Sequence, residues 1–514
     1  MKKYLIFICV FFVSCASDID NEYGDTTGEV ASAFQGTGTQ DNPYIISKAS
    51  ELRKLSVDVN SGEDYRGKFF KMTSNIIFNV KVLTSDGSLN NGSKKREIWT
   101  PIGVDFNHPF SGTFDGNGYK ISGLYCKREV SYAGLFGWAC GTIKNLTIDD
   151  SYFEATDYAA CFVAAAGDYT NNVLRVCLIE NCINGGSVNS PKHAAAFVAK
   201  FNYGTIDKCV NYGLVKGGIV GGFYASGGDK NFPGGKISDV ANCMNYGQVI
   251  GNIAGGIGGS SGDARIYNSI NYGNIISNDM GNNNYHIYAA GIIGATYWST
   301  ELVNCINYGS VYAPDNAYGG IGGWCDYQNR DIGEILVYYI DNSPRAFYKA
   351  DKLEAHATAV TYDDIKDPQF LTLLNKNVSI YGSSWCQWIW SEEGLPQLDY
   401  EVKGNNESED DTDVDNEDKE GDSSYETPYV TSFSYNATQT SITVQFNVNV
   451  RPTSATVKYG TGTPSSSVSS SISGKKVIAK VQGLKKGTKY YFRCTVSNTN
   501  GSSTSDVYSA MTFY

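Results

Sequence analysis

The chain has 514 residues and a formal net charge of −12, a length for two or three domains and a balance that argues against nucleic acid as a partner. Its 56 Gly and 37 Tyr against 12 Pro and 5 Met favour β structure with many tight turns. Four His leave little scope for histidine-based zinc chemistry, and 13 Cys without a CxxC pair predict no metal site.

Met1-Lys2-Lys3 precedes an apolar run, Tyr4 to Val13, and then Ser14, Cys15 and Ala16. This reads as an export leader over residues 1–14. The run is too short for a helix that must cross ~30 Å of hydrocarbon. Val13-Ser14-Cys15-Ala16 resembles the lipobox of bacterial lipoproteins, with Phe12 where Leu is usual. That resemblance implies lipidation of Cys15 and attachment to a membrane through an N-terminal lipid. Ser17, Asp18, Asp20 and Glu22 are similar to the acidic signal of lipoproteins carried on the outer face of the outer membrane. Residues 15–35 read as a flexible tether, polar and with little to bury.

The next stretch is repetitive. One phrase returns as Asn181-Cys-Ile-Asn-Gly, Lys208-Cys-Val-Asn-Tyr-Gly, Asn242-Cys-Met-Asn-Tyr-Gly, Asn268-Ser-Ile-Asn-Tyr-Gly and Asn304-Cys-Ile-Asn-Tyr-Gly. Its central asparagines are Asn184, Asn211, Asn245, Asn271 and Asn307. A second phrase alternates with it: Gly134-Leu-Phe-Gly137, Gly218-Ile-Val-Gly221, Gly256-Ile-Gly-Gly259, Gly291-Ile-Ile-Gly294 and Gly320-Ile-Gly-Gly323. Short β runs broken by Asn and Gly predict a parallel β-helix whose turns cover one another's edges. Equivalent places then stack in columns. The asparagines are expected to form a structural hydrogen-bond ladder at a corner, and Cys182, Cys209, Cys243 and Cys305 a column of buried free thiols.

The second phrase resembles the GLUG motif of bacterial surface proteins. Gly36 to Ile46 looks like the opening strand of such proteins, followed by one capping helix over Ser47 to Val59 with Leu52, Leu55 and Val59 on one face. Trp99 to Gly103 and Phe110 to Ile121 are similarly typical, and Trp388 through Leu398 looks like the C-terminal cap. The resemblance implies an all-β fold, a right-handed parallel β-helix over residues 36–402, at the cell surface and with no single activity.

Residues 403–427 are crowded with acids and read as a disordered spacer with a reach of roughly 25–30 Å. No cofactor is expected. The one alternative is calcium at Asp411, Asp413 and Asp415, but that loop lacks the sixth-position Gly, and its twelfth position is Asp422 rather than Glu. Residues 428–514 alternate in and out as an antiparallel sandwich. Leu484 to Cys494 resembles the tyrosine corner of fibronectin type III domains, which implies that Tyr490 supplies the corner hydroxyl.

Catalysis finds little support. The coil is poor in paired carboxylates, and no HExxH occurs. Asp115 reads as a turn residue, and Asp207 and Asp239 as corner residues. The candidate binding surface is a set of aromatics in long insertions: Tyr285, Tyr288, Tyr297, Trp298, Tyr318, Trp324 and Tyr327. The expectation is a surface-exposed, non-catalytic lipoprotein that binds a glycan or a surface protein of a host or another bacterium. A β-helix polysaccharide lyase or glycoside hydrolase and a purely structural envelope component are the alternatives.

Overall fold

The computed structural model describes residues 28–92, 95–127, 129–170, 172–228, 238–262, 265–279, 286–297, 301–325, 335–341, 343, 345–348, 353, 356–382, 384–391, 393–400, 427–437, 440–448, 450–473, 475–505 and 507–512. The expected leader with Cys15, the tether up to residue 27, the acidic spacer up to residue 426 and the candidate rings Tyr285, Trp298 and Tyr327 lie outside these residues.

The described chain is mostly β, in long parallel sheets that stack in a β-helix-like way. One turn consists of Ser238–Ala241, Met244–Asn245, Val249–Gly255 and Gly258–Ser261. The next turn lies on it in parallel register: Val240 opposite Ile266, Met244 opposite Ile270, Val249 opposite Ile275, Ile253 opposite Tyr288 and Gly258 opposite Ile293. Gly258–Ser261 belongs to an eight-stranded parallel sheet that runs from Phe136–Ala139 to Phe347–Tyr348. Within the stack, like residues meet like. Phe162, Phe197 and Phe223 are fully buried and stack at 4.8 and 5.0 Å between centroids.

The first turns are closed by helix α1, Ala49–Asn60. Leu52, Leu55 and Val59 are fully buried, as their helical spacing predicts. Glu51 caps its start by accepting from the backbone N–H of Ser47 at 2.5 Å and of Lys48 at 3.0 Å.

The closing segment does not sit as a plug on the last turn. Helix α2, Pro368–Tyr381, and the hairpin Trp388–Trp390 with Pro396–Leu398 run back along the side of the stack. They cover an outward apolar column of Val210, Met244, Ile270, Ile306 and Tyr338, using Phe370, Leu374, Val378, Trp388 and Leu398. The cap expected from the sequence is therefore a lateral strap. An apolar column on the outside of successive turns needs a cover, and the strap supplies it.

Residues 427–512 form two antiparallel sheets around Ile442, Val444, Phe446, Val457, Phe492, Cys494 and Tyr508. Strand Ser441–Val448 alternates buried and half-buried residues along its whole length. The Tyr490 hydroxyl accepts from the Lys485 backbone N–H at 2.9 Å, five residues upstream. Among the described residues no helix is long and apolar enough to cross a membrane.

Candidate functional surface

The repeated asparagines are the frame on which any surface is held. Asn184, Asn211, Asn245, Asn271 and Asn307 are fully buried. The amide of each of the first four donates to the carboxamide oxygen of the next, at 2.9, 2.8, 2.7 and 2.8 Å. Each also closes its own turn by donating to the carbonyl two residues on, as Asn245 does to Gly247 at 3.1 Å.

They are not the corner residues. The left-handed corner is the first residue of the phrase: Asn181 (φ 52°), Lys208 (53°), Asn242 (51°), Asn268 (45°) and Asn304 (58°), preceded by Asn145 (53°). Asn tolerates this region best among residues with a Cβ. A second, outer ladder runs here. Asn145 donates to Asp115 at 2.9 Å, Asn242 to Asp207 at 2.6 Å, Asn268 to Asn242 at 2.8 Å and Asn304 to Asn268 at 2.8 Å. The strap joins it: Asn377 of α2 donates to Asn304 at 2.9 Å, and the Trp388 indole to Asn268 at 2.6 Å. Three of its rungs were written in the same phrase, one position before Cys243, Ser269 and Cys305, and sequence reasoning passed over them.

The two phrases form one physical unit. A Cβ on Gly256 would lie 2.5 Å from the Asn271 carboxamide carbon, and one on Gly222 3.0 Å from that of Asn245. The first glycine of the second phrase is thus the space in which the next turn's ladder asparagine sits. The last glycine meets backbone, as Gly259 does at 2.5 Å from the Ala225 carbonyl. Gly218 to Gly221 is not a copy in this register. It belongs to the preceding strand, Val215–Gly221, and the equivalent site is Gly222-Phe223-Tyr224-Ala225. A chance Gly spacing in that strand imitated the phrase.

Cys182, Cys209, Cys243 and Cys305 are buried and free. Their thiols point at the carbonyls two residues back, at 3.2, 3.2, 3.1 and 3.5 Å, and Ser269 occupies the missing place with its hydroxyl 2.7 Å from the Tyr267 carbonyl. Burial pushes the Cys305 thiol up to about 12 and those of Cys182 and Cys209 well above the ordinary range. These thiols are structural.

The candidate aromatics are only partly brought together. Tyr297, 37% exposed, meets Trp324 edge to face at 5.2 Å. Tyr288 is buried, in register with Ile253 and against Tyr348 at 5.7 Å, so it is a core ring and not a surface one. Tyr318 is half-buried against the core, and burial raises its phenol pKa. A further set of rings follows the ladder asparagines: Tyr212, Tyr246 and Tyr272 stack at 5.1 and 4.9 Å, and Tyr308 lies tilted against Tyr272 at 5.5 Å. Stacked rings offer edges outward, since their faces are spent on one another.

A second aromatic cluster lies near the other end. Phe106, 42% exposed, and Tyr132 both meet Trp138 edge to face, at 5.7 and 5.4 Å. Tyr132, Tyr158 and His193 stack at 5.5 and 4.7 Å, and the Lys200 ammonium lies 5.6 Å from the rings of both Trp138 and Tyr158. The register places these residues together; their separation in sequence hid them.

One charged group has the composition of a catalytic site. Asp239, Arg265 and Glu301 are in register on successive turns, with the Arg265 guanidinium on Asp239 at 2.8 and 3.3 Å. Burial disfavours the guanidinium's charge, but Asp239 outweighs it and raises the pKa. Burial and the bond to Glu301 likewise hold the Tyr267 phenol protonated. Among the described residues no group of three or more His, Cys, Asp or Glu could hold a metal ion.

No family model matches the chain. Over 165 residues it is 30% identical to a protein of Evansella cellulosilytica named as a Gly-rich membrane protein, a match to 32% of this chain and 17% of that protein. Over 132 residues it is 33% identical to the protein named halomucin of Haloquadratum walsbyi, covering 25% of this chain and 1% of that protein. The chain thus spans a small part of the length of either relative.

Proposed function

We propose that this chain is a surface-anchored, non-catalytic binding protein of the cell envelope, working in adhesion or glycan capture. One similar protein is named as a Gly-rich membrane protein and the other as halomucin, which supports an envelope setting. In this reading the lipid sits on Cys15, the stack is a right-handed parallel β-helix of the GLUG type, and residues 428–514 are a fibronectin type III-like module held beyond an acidic spacer. Tyr490 bonded to Lys485 supports the last assignment.

The observation that carries the binding reading is a rigid, ladder-held scaffold that leaves aromatic rings outside the ladders. Tyr297 against Trp324 and Phe106 against Trp138 are such rings. Rings with a free face stack on sugars or anchor protein partners. The test is an array of glycans and matrix proteins probed with residues 16–514. Binding of a defined class is expected. Silence across the array, or release of product from a polysaccharide panel, would sink the reading.

A further inference from the structure

We propose that the aromatic cluster around Trp138 is a binding site for a neutral glycan, with Trp138 and His193 as its hydrogen-bonding ends; this rests on the binding reading above. The starting point is two orphaned atoms. Trp138 is 5% exposed, and its indole Nε1 has no hydrogen-bond partner; nor does the buried Nδ1 of His193. A buried polar atom left unpaired costs about 1–3 kcal/mol. Unpaired buried atoms occur elsewhere too, at the Asn252 and Asn274 amides for example, but these two fall within one aromatic cluster, and that coincidence points to a partner outside the chain.

The geometry matches a short stretch of sugar. Trp138 lies on strand Phe136–Ala139, and His193 lies two turns along, on strand Ile183–Ala195. Strand spacing puts two turns about 10 Å apart along the axis. That is the scale of a disaccharide. Between the two ends lie the edges of Tyr132 and Tyr158 and the Lys200 ammonium over the rings. Phe106 is exposed beside Trp138, and its ring, outside any stack, has a face for a pyranose.

The chemistry selects a neutral ligand. The rim acids already have partners: Asp105 hydrogen-bonds the His108 ring at 2.8 Å, and Asp157 pairs with Lys192. Burial lowers the His193 pKa to about 4, so the imidazole is neutral at pH 7. An indole N–H needs an acceptor, and a neutral imidazole nitrogen takes either role. Sugar hydroxyls supply both. Lys200 and Phe106 lie over the indole and are the groups that move aside. Lys200, on its flexible stem, then donates to the ligand as well.

The test is calorimetry of residues 16–514 with tetrasaccharides of β-linked glucose, galactose and mannose, and with a uronic acid tetrasaccharide of equal length. Trp138→Phe keeps the ring and removes only the N–H. It is expected to weaken binding of a neutral tetrasaccharide about tenfold, the size of one hydrogen bond, with Trp390→Phe as the unaffected control. His193→Phe, which keeps the stack, should weaken it comparably. If binding persists in both variants and is lost in Trp324→Phe, this site is wrong and the binding reading stands. A preference for the uronic acid, or a higher melting temperature in Trp138→Phe without a change in affinity, also overturns the site. No binding to any glycan or matrix protein removes both.

Discussion

Asparagine suits a ladder because a neutral carboxamide donates and accepts along one line, so each rung is paired above and below. At Lys208 the outer column is interrupted: Asn242 turns to the Asp207 carboxylate, and a Lys holds the left-handed corner at φ 53°. Lys208→Asn should complete the ladder and relieve that backbone. A gain of about 1 kcal/mol is expected, read as a higher melting temperature. An unchanged melt would mean that the outer amides contribute little. His193 adds a pH dependence. Its folded pKa, about 4, is below the ordinary 6.5, first through burial and also through Lys192 and Lys200, against the opposing pull of Asp157. The unfolded chain therefore binds the proton more readily, and stability falls as pH drops from 6.5 toward 4. Thermal melts at pH 7 and pH 4.5 should differ less for His193→Phe than for the parent chain. Equal losses would contradict the assignment. The inner asparagines and the cysteines were legible because a recurring residue at a recurring place is visible without coordinates. Trp138 with His193 was not, because only register brings them together.

At the scale of the element, the glycine phrase is a packing requirement. Gly256→Ala would press a methyl onto the Asn271 amide and to within 2.1 Å of the Gly291 carbonyl. A loss of about 2–3 kcal/mol is expected in denaturant melts. A tolerated alanine would show that the ladder can shift. The strap is the element that sequence reading misjudged. Residues 388–398 were read as an end cap, but the strap's placement depends on bonds of Cys386 to Asn242, Trp388 to Asn268 and Asn377 to Asn304, which lie 144, 120 and 73 residues apart. Helix α2 was missed despite its start signals: Asp367 accepts from the Gln369 backbone at 2.8 Å, and Pro368 follows it. Trp388→Ala should cost about 3–5 kcal/mol and speed hydrogen exchange at the corners of residues 242, 268 and 304. Exchange in residues 430–511 should not change. If the corner amides stay protected, the strap is not what seals them.

At the scale of the molecule, the proposed order is lipid, tether, stack, spacer and sandwich. Cys15→Ala should release the protein from membranes with its melting temperature unchanged. Continued palmitate labelling of that variant would refute the anchor. The stack and the sandwich were both legible in outline, one from its repeats and the other from in–out alternation. The division of surfaces was not, since exposure depends on which columns face each other across turns.

The strap also changes where the chain leaves the stack. A simple coil would hand a pulling force to its last turn, and parallel turns would peel away one after another. Here the strap returns the chain to the middle: the Tyr400 hydroxyl reaches the Cys209 carbonyl at 3.4 Å, many turns before the end. Once the bonds of Tyr435 to Gln248 and Asn274 and of Lys476 to Glu393 are broken, tension arriving from the C-terminal side meets that junction, with Tyr272 bonded to the Pro396 carbonyl and Trp388 to Asn268 behind it. Those bonds lie across several turns at once, so they must slip together rather than open singly. Under the proposed anchoring and binding, that is the difference between a zipper and a rivet.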